Sequence, residues 1–235
     1  MIRRMSRENP TWVAPRIADE LALLGYETCA ATVAKYLVRT AKPPSQTWKT
    51  FLTNHAKEIV AIDFFTMPTV TFRVLYCFIV IRHNTRRVVH FNATDSPTAM
   101  WTGQQIVNAL PYDDAPNYLL RDNDSIYGKE FTRRVESLGI EEVKAAYRSP
   151  WQNPYAERVI GSNRRECLGH MIIFGEDHLR RVLAEYFAYY NAHRAHQGLD
   201  GDTPLGRERE PPDLGHVRSI PFLGGLHHRY TRRVA

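Results

Sequence analysis

This chain offers little sulfur chemistry. Its three cysteines, Cys29, Cys77 and Cys167, are odd in number and no two form a C-x-x-C pair. That argues against a disulfide framework and fits a reducing cytoplasm. No apolar run reaches the length of a bilayer-spanning helix, so no membrane partner is expected. The opening Met1-Ile-Arg-Arg-Met-Ser6 lacks the apolar stretch of a secretion signal. There is no internal repeat and no low-complexity tract. Acids are absent from His216 onward, where Arg218, Arg229, Arg232 and Arg233 lie.

What is present suits a globular protein. Of 235 residues, 43% are apolar and 11% aromatic, enough for one good-sized core with a small appendage rather than a disordered chain. The formal charge of +6 makes an anionic partner plausible. The basic C-terminal stretch is a candidate phosphate binder, with salt-dependent, sequence-independent affinity.

Periodicity divides the chain. Pro15, then Ile17, Leu21 and Leu24 at helical spacing, then Gly25, spell a short helix with a start and a stop. A second helix is predicted over Ala30 to Arg39, with Val33 and Leu37 inward and Lys35 and Arg39 on another face. The pair fits either a helix-turn-helix DNA-binding segment over 1–40 or a plain helical hairpin. The chain opens inside a helical pattern, as expected of a segment that has lost its own start. Residues 41–50, with Pro43-Pro44, read as a linker. Strands are then predicted to end near Asp63 and to run over Val70–Ile81, Val88–Asn92, Tyr118–Arg121 and Ile140–Lys144. Helices are predicted from Asp95-Ser96-Pro97 to about Leu110, over Gly128–Leu138, Pro154–Cys167 and Glu176–Ala192. Three neighbouring strands followed by alternating helices and strands predict an α/β domain around a mixed sheet, over 51–205. Residues 206–235 read as a basic tail rich in proline and glycine.

Three acids stand out. Asp63 interrupts the apolar run Glu58-Ile-Val-Ala-Ile-Asp-Phe-Phe65, Asp122 closes Tyr118-Leu-Leu-Arg-Asp122, and Glu157 lies inside the amphipathic stretch Gln152–Ile160. Singly, each has a bland reading: a strand-end Asp forms turns and caps, and helices carry surface glutamates. Together, strand-end carboxylates on adjacent strands share one sheet edge, and a crossing helix can add a third. An oxygen-only set of this kind suits a hard divalent cation.

The flanking residues carry a resemblance. Leu120-Arg-Asp-Asn-Asp-Ser-Ile-Tyr127 resembles the second-aspartate segment of DDE-type transposases and retroviral-integrase-like catalytic cores. Ser149-Pro-Trp-Gln-Asn-Pro-Tyr-Ala-Glu157 resembles their third-acid segment. Tyr189-Tyr-Asn-Ala-His-Arg-Ala-His-Gln-Gly-Leu199, with Thr203-Pro204, is similar to the ending of bacterial insertion-sequence transposases. The matches occur in the family's order over 46–205, with a helix-turn-helix-like segment ahead of them. Asp124 stands where the family has glycine and Ala195 where it has proline, so Asp122 and Asp124 compete for the second position; the alignment of Asn123 and Ser125 favours Asp122. No His-His-Cys-Cys module precedes the core.

The resemblance implies a ribonuclease-H-like fold: a mixed five-stranded sheet flanked by helices. It implies Asp63, Asp122 and Glu157 as catalytic residues and ligands of two Mg²⁺ ions, with Mn²⁺ able to substitute. It implies metal-dependent DNA end cleavage and strand transfer, a homo-oligomer on DNA, and a bacterial cytoplasmic, nucleoid-associated setting. Alternatives are another ribonuclease-H-like nuclease, or an inactive or domesticated DNA-binding protein. Lys35, Arg39, Arg148, Gln152, Asn153, Arg158, Arg164 and Arg165 are the expected DNA contacts. Arg164 leads because it lies seven residues after Glu157, on the same helix face. Cys167-x-x-His170 and His193-x-x-His196 have ligand-like spacing but fall on different predicted helices, and no zinc is expected.

Overall fold

The computed structural model describes residues 1–9, 12–37, 46–111, 115–146 and 149–233. The chain divides into two compact units, Met1–Lys49 and Thr50–Ala235. The first holds α1 (Ile2–Glu8), α2 (Ala14–Leu23) and α3 (Ala30–Tyr36). Ile17, Leu21 and Val33 are buried as the spacing predicts and form its core with Ala18, whereas Leu24 is exposed. Gly25 takes φ +82, and Tyr26 N donates to Leu21 O at 2.8 Å, which closes α2. Lys35 is exposed on α3, while Arg39 falls outside the described residues. Of the predicted linker, 41–45 lie outside the described residues and 46–50 belong to α4 (Gln46–Asn54).

The second unit is built on five strands in the order β3-β2-β1-β4-β5. They are β1 (Ile59–Pro68), β2 (Val74–Arg82), β3 (Val88–Thr94), β4 (Tyr118–Arg121) and β5 (Glu141–Lys144). The first three are antiparallel neighbours, while β1/β4 and β4/β5 run parallel. Four helices cover the sheet: α5 (Ala99–Ala109), α6 (Lys129–Ser137), α7 (Pro154–Glu166) and α8 (Glu176–Ala192). Alternation along the strands sorts the two faces. Val60, Ile62, Phe78, Val80 and Leu119 pack with Ile106 of α5 and Phe131 and Val135 of α6. Phe65, Cys77, Ile79 and Ile81 pack with Ala156, Val159 and Ile160 of α7 and the apolar stripe of α8.

Three expectations need correction. The second strand begins at Val74, because Val70–Arg73 is consumed by a turn in which Thr69 N donates to Arg73 O and Arg73 N to Thr69 Oγ1. The helix after β3 starts at Ala99 and is capped by Thr98, whose hydroxyl accepts from Trp101 N, rather than by Asp95 or Ser96. The basic tail is a β-hairpin of β6 (His216–Phe222) and β7 (His227–Arg233). It sits on α8 through Tyr189, whose ring stacks on His227 at 4.7 Å and meets Phe222 at 5.7 Å. Two of its cations have partners: Arg232 donates to the carbonyls of Pro212 and Gly215, and Arg229 faces His193.

Candidate active site

Asp63 and Asp122 meet because of register. The parallel β1/β4 ladder pairs Ile59 with Tyr118, Val60 with Leu119 and Ala61 with Leu120. Asp63 and Asp122 each come two residues after the last pair, Ala61 with Leu120. Level residues of parallel strands project to one face. For Asp63 that is the α7/α8 face, since Ile62 and Phe64 pack on the α5/α6 side and Phe65 on the other. Asp63 is partly buried, and its Oδ1 accepts from Phe64 N at 2.8 Å. Asp122 lies just past the last ladder residue of β4.

Asp122 directly follows β4, which ends at Arg121, and Asp124 lies two residues further into the turn. Asp124 is exposed and caps its own turn, its Oδ1 accepting from Ile126 N at 3.0 Å and Ser125 Oγ at 3.3 Å.

Glu157 arrives on the first turn of α7. The helix begins at Pro154, a residue suited to a first turn, and crosses β1 with Ala156 fully buried. Asn153 fixes the approach. Its Nδ2 donates to Ile62 O at 3.1 Å, beside Asp63, while its own carbonyl accepts from Glu157 N at 3.2 Å. One residue thus ties the acid-bearing strand to the acid-bearing helix. Gln152 braces the loop before it, accepting from Ala146 N at 2.6 Å.

The charges feel one another. Burial pushes the Asp63 carboxyl up to about 8, and the neighbouring carboxylates of Glu157 and Asp122 add to the rise, with Asp124 the smallest contributor. Burial raises Asp122 as well. Such mutual repulsion marks an all-oxygen donor set that a cation would relieve. Among the described residues, however, no three His, Cys, Asp or Glu side chains stand close enough to coordinate one ion. The three expected ligands come from β1, the residue after β4 and the first turn of α7, and do not form such a group. Glu157 is exposed on α7, and Asp63 Oδ1 is engaged by Phe64 N. The donor chemistry fits a hard divalent cation; the spacing is open.

The expected DNA contacts scatter. Arg164 and Arg165 are exposed on the last turn of α7, with Arg164 near enough to Cys77 of β2 to lower its thiol's otherwise raised pKa. Arg158 is exposed, and its charge reaches Tyr190 of α8. Arg148 lies outside the described residues. Asn153 departs from expectation: it is 4% exposed, so its amide serves the β1–α7 junction and is not presented to a ligand. In the pairs with zinc-like spacing, Cys167 is buried in the core and His170 Nε2 meets Arg165 O at 3.0 Å. Sequence reading overlooked Arg121. It is buried at 2% exposure against Glu142, and the available signal was a charge inside an apolar strand.

The insertion-sequence-like ending is a structural clasp. Asn191 accepts from Val88 N at 3.0 Å and donates to Val88 O at 2.8 Å, fastening α8 to β3. Arg194 clamps Glu166 of α7 through two bonds of 2.7 and 2.6 Å, and His196 packs on Tyr190 with ring centroids 4.6 Å apart.

Residues 138–204 match the integrase core domain. That stretch holds Glu157 and the clasp; Asp63 and Asp122 precede it. The insertion element IS476 uncharacterized 39.2 kDa protein of Xanthomonas euvesicatoria is 24% identical over 194 residues, which cover 80% of this chain and 55% of that protein. The chain therefore spans about half the length of this relative. The catalytic domain of Mos1 mariner transposase superposes with a TM-score of 0.51 at 18% identity, over 60% of this chain and 78% of that one. A chain of the simian T-cell lymphotropic virus intasome, in complex with PP2A regulatory subunit B56 gamma, superposes with a TM-score of 0.51 at 13% identity, over 91% of this chain and 82% of that one. The fold is ribonuclease-H-like. Among the described residues, no helix is long and apolar enough to cross a membrane.

Proposed function

We propose that this chain is the catalytic subunit of a DNA transposase or integrase, cutting DNA ends and joining them to target DNA. The observation that supports it most is the placement of Asp63 in β1 and Asp122 just after the adjacent parallel β4, with Glu157 on the first turn of α7. Asp63, Asp122 and Glu157 would hold Mg²⁺, or Mn²⁺ in its place; the Mos1 catalytic domain is known with each metal. When bound, a metal pair supplies Lewis acidity and positive charge at the attacked phosphate. The chain's own residues prepare that site. Asn153 holds the helix to the strand, β1 carries Asp63, and burial with its carboxylate neighbours raises the Asp63 pKa to about 8. Arg164, exposed on the Glu157 face of α7, would meet a DNA phosphate. Joining two ends calls for more than one protomer.

The test pairs plasmid nicking with strand transfer of a duplex carrying a free 3′-hydroxyl. Asp63→Asn, Asp122→Asn and Glu157→Gln should each lower Mg²⁺-dependent turnover by at least about 100-fold, while Asp124→Asn stays near wild type. Full activity in the Asp63 or Glu157 variant would refute the reading. Nicking without joining would indicate a plain nuclease. DNA binding with no metal-dependent turnover would indicate a binding protein.

A further inference from the structure

Arg121 ends β4 one residue before Asp122, with its side chain on the opposite face. Its guanidinium carbon lies 4.7 Å from the ring centroid of Tyr127 and 5.6 Å from that of Phe131, on the α5/α6 side. Nε and Nη2 donate to Glu142 Oε2 of β5 at 2.9 and 2.6 Å. The two side chains are 3% and 7% exposed. A buried ion pair of this kind is often no more stabilising than apolar residues of the same size. Its retention therefore asks for another role, and the third nitrogen supplies one. Nη1 donates to the carbonyl of Asp122 at 2.9 Å. The β4/β5 ladder ends at the Arg121–Lys144 pair, with Ala145 N taking Arg121 O at 2.8 Å. The Asp122 peptide lies beyond the ladder, and the guanidinium takes over its carbonyl.

The geometry points to Arg121 as a positioning residue: anchored by Glu142, it holds the Asp122 backbone so that the carboxylate stays near Asp63. This inference rests on the reading above, in which those carboxylates take a divalent cation. A lysine cannot replace the arrangement, because one ammonium lacks the planar fork that reaches Glu142 and the Asp122 carbonyl together.

Mn²⁺ alone is the probe, its binding to the full chain followed by the electron paramagnetic resonance of the free ion, with melting recorded for every variant. Asp63→Asn and Asp122→Asn should weaken binding; wild-type affinity in both would overturn the metal reading and the positioning role with it. If they do weaken it, Arg121→Lys and Glu142→Ala should also lower Mn²⁺ affinity, by about 10- to 100-fold, while keeping a cooperative melt. Folded Arg121→Lys and Glu142→Ala proteins with wild-type affinity would overturn the positioning role and leave the metal reading standing. Should Arg121→Lys fail to fold, Glu142→Ala decides alone, since it releases the anchor without touching the Asp122 contact. Failure of both to fold would assign the pair to stability and overturn the proposal.

Discussion

Asp63 sits inside a buried strand with two further carboxylates nearby, and the protein stabilises its neutral form. The consequence for stability has a definite sign. Its pKa is about 8 folded against 3.8 for the free group, so between those values the folded chain binds more protons than the unfolded one. Stability contributed by this group is present at low pH and lost as pH rises toward 8. The metal-free protein should therefore melt higher at pH 6 than at pH 8, and Asp63→Asn should flatten that slope. At pH 8 the variant should gain at least about 3 °C, the shift about 1 kcal/mol produces in a chain of this size. Scanning calorimetry in EDTA reads both. Added Mn²⁺ should raise the wild-type melt and leave Asp63→Asn unmoved. Asn153 makes a second case at this scale: Asn153→Ala removes a buried donor from Ile62 O and should cost about 1–3 kcal/mol, measured by urea denaturation.

At the scale of elements, helix and strand identities were legible because periodicity is strong where the core is deep. The stripe Leu179, Val182, Leu183, Tyr186, Phe187 and Tyr190 shows α8 in sequence, and the structure buries each of them. Errors fell where local hydrogen bonding overrides pattern. Val70 and Phe72 look like strand residues, but Thr69 and Arg73 close a turn around them and leave Phe72 91% exposed at φ +61. The hairpin β6–β7 was invisible for the opposite reason. Pro221 and Gly224-Gly225 read as breakers, yet a two-stranded ribbon has free edges that tolerate a proline, and glycines at positive φ turn it back. The ending motif identified the chain's relatives through residues that serve packing. Arg194→Ala should cost about 2 kcal/mol, since it removes two charge-assisted bonds to Glu166. A thermal melt without DNA or metal suffices, because the clasp is separate from the carboxylates.

For the whole molecule, a net charge of +6 predicts DNA affinity that falls steeply with salt. The slope of log K against log salt should shrink by about 0.9 for each phosphate contact removed. Arg164→Ala should show that change and Arg232→Ala should not, because Arg232 is engaged by the carbonyls of Pro212 and Gly215. Fluorescence anisotropy of a labelled duplex over a salt series measures it. The sequence alone determined the layered α/β class, the strands of the sheet and the three acids, because burial imposes periodicity and a charge in an apolar run stands out. It left Asp122 and Asp124 in competition, since both lie in one short polar turn. Only the tertiary structure shows their surroundings: Asp122 follows the strand paired with β1 and is partly buried, while Asp124 is exposed and bonds within its own turn, because pairing across strands is a long-range choice that no local pattern records. The same holds for Asn153 and Arg121, whose partners Ile62 and Glu142 are distant in sequence and become neighbours only when the sheet forms.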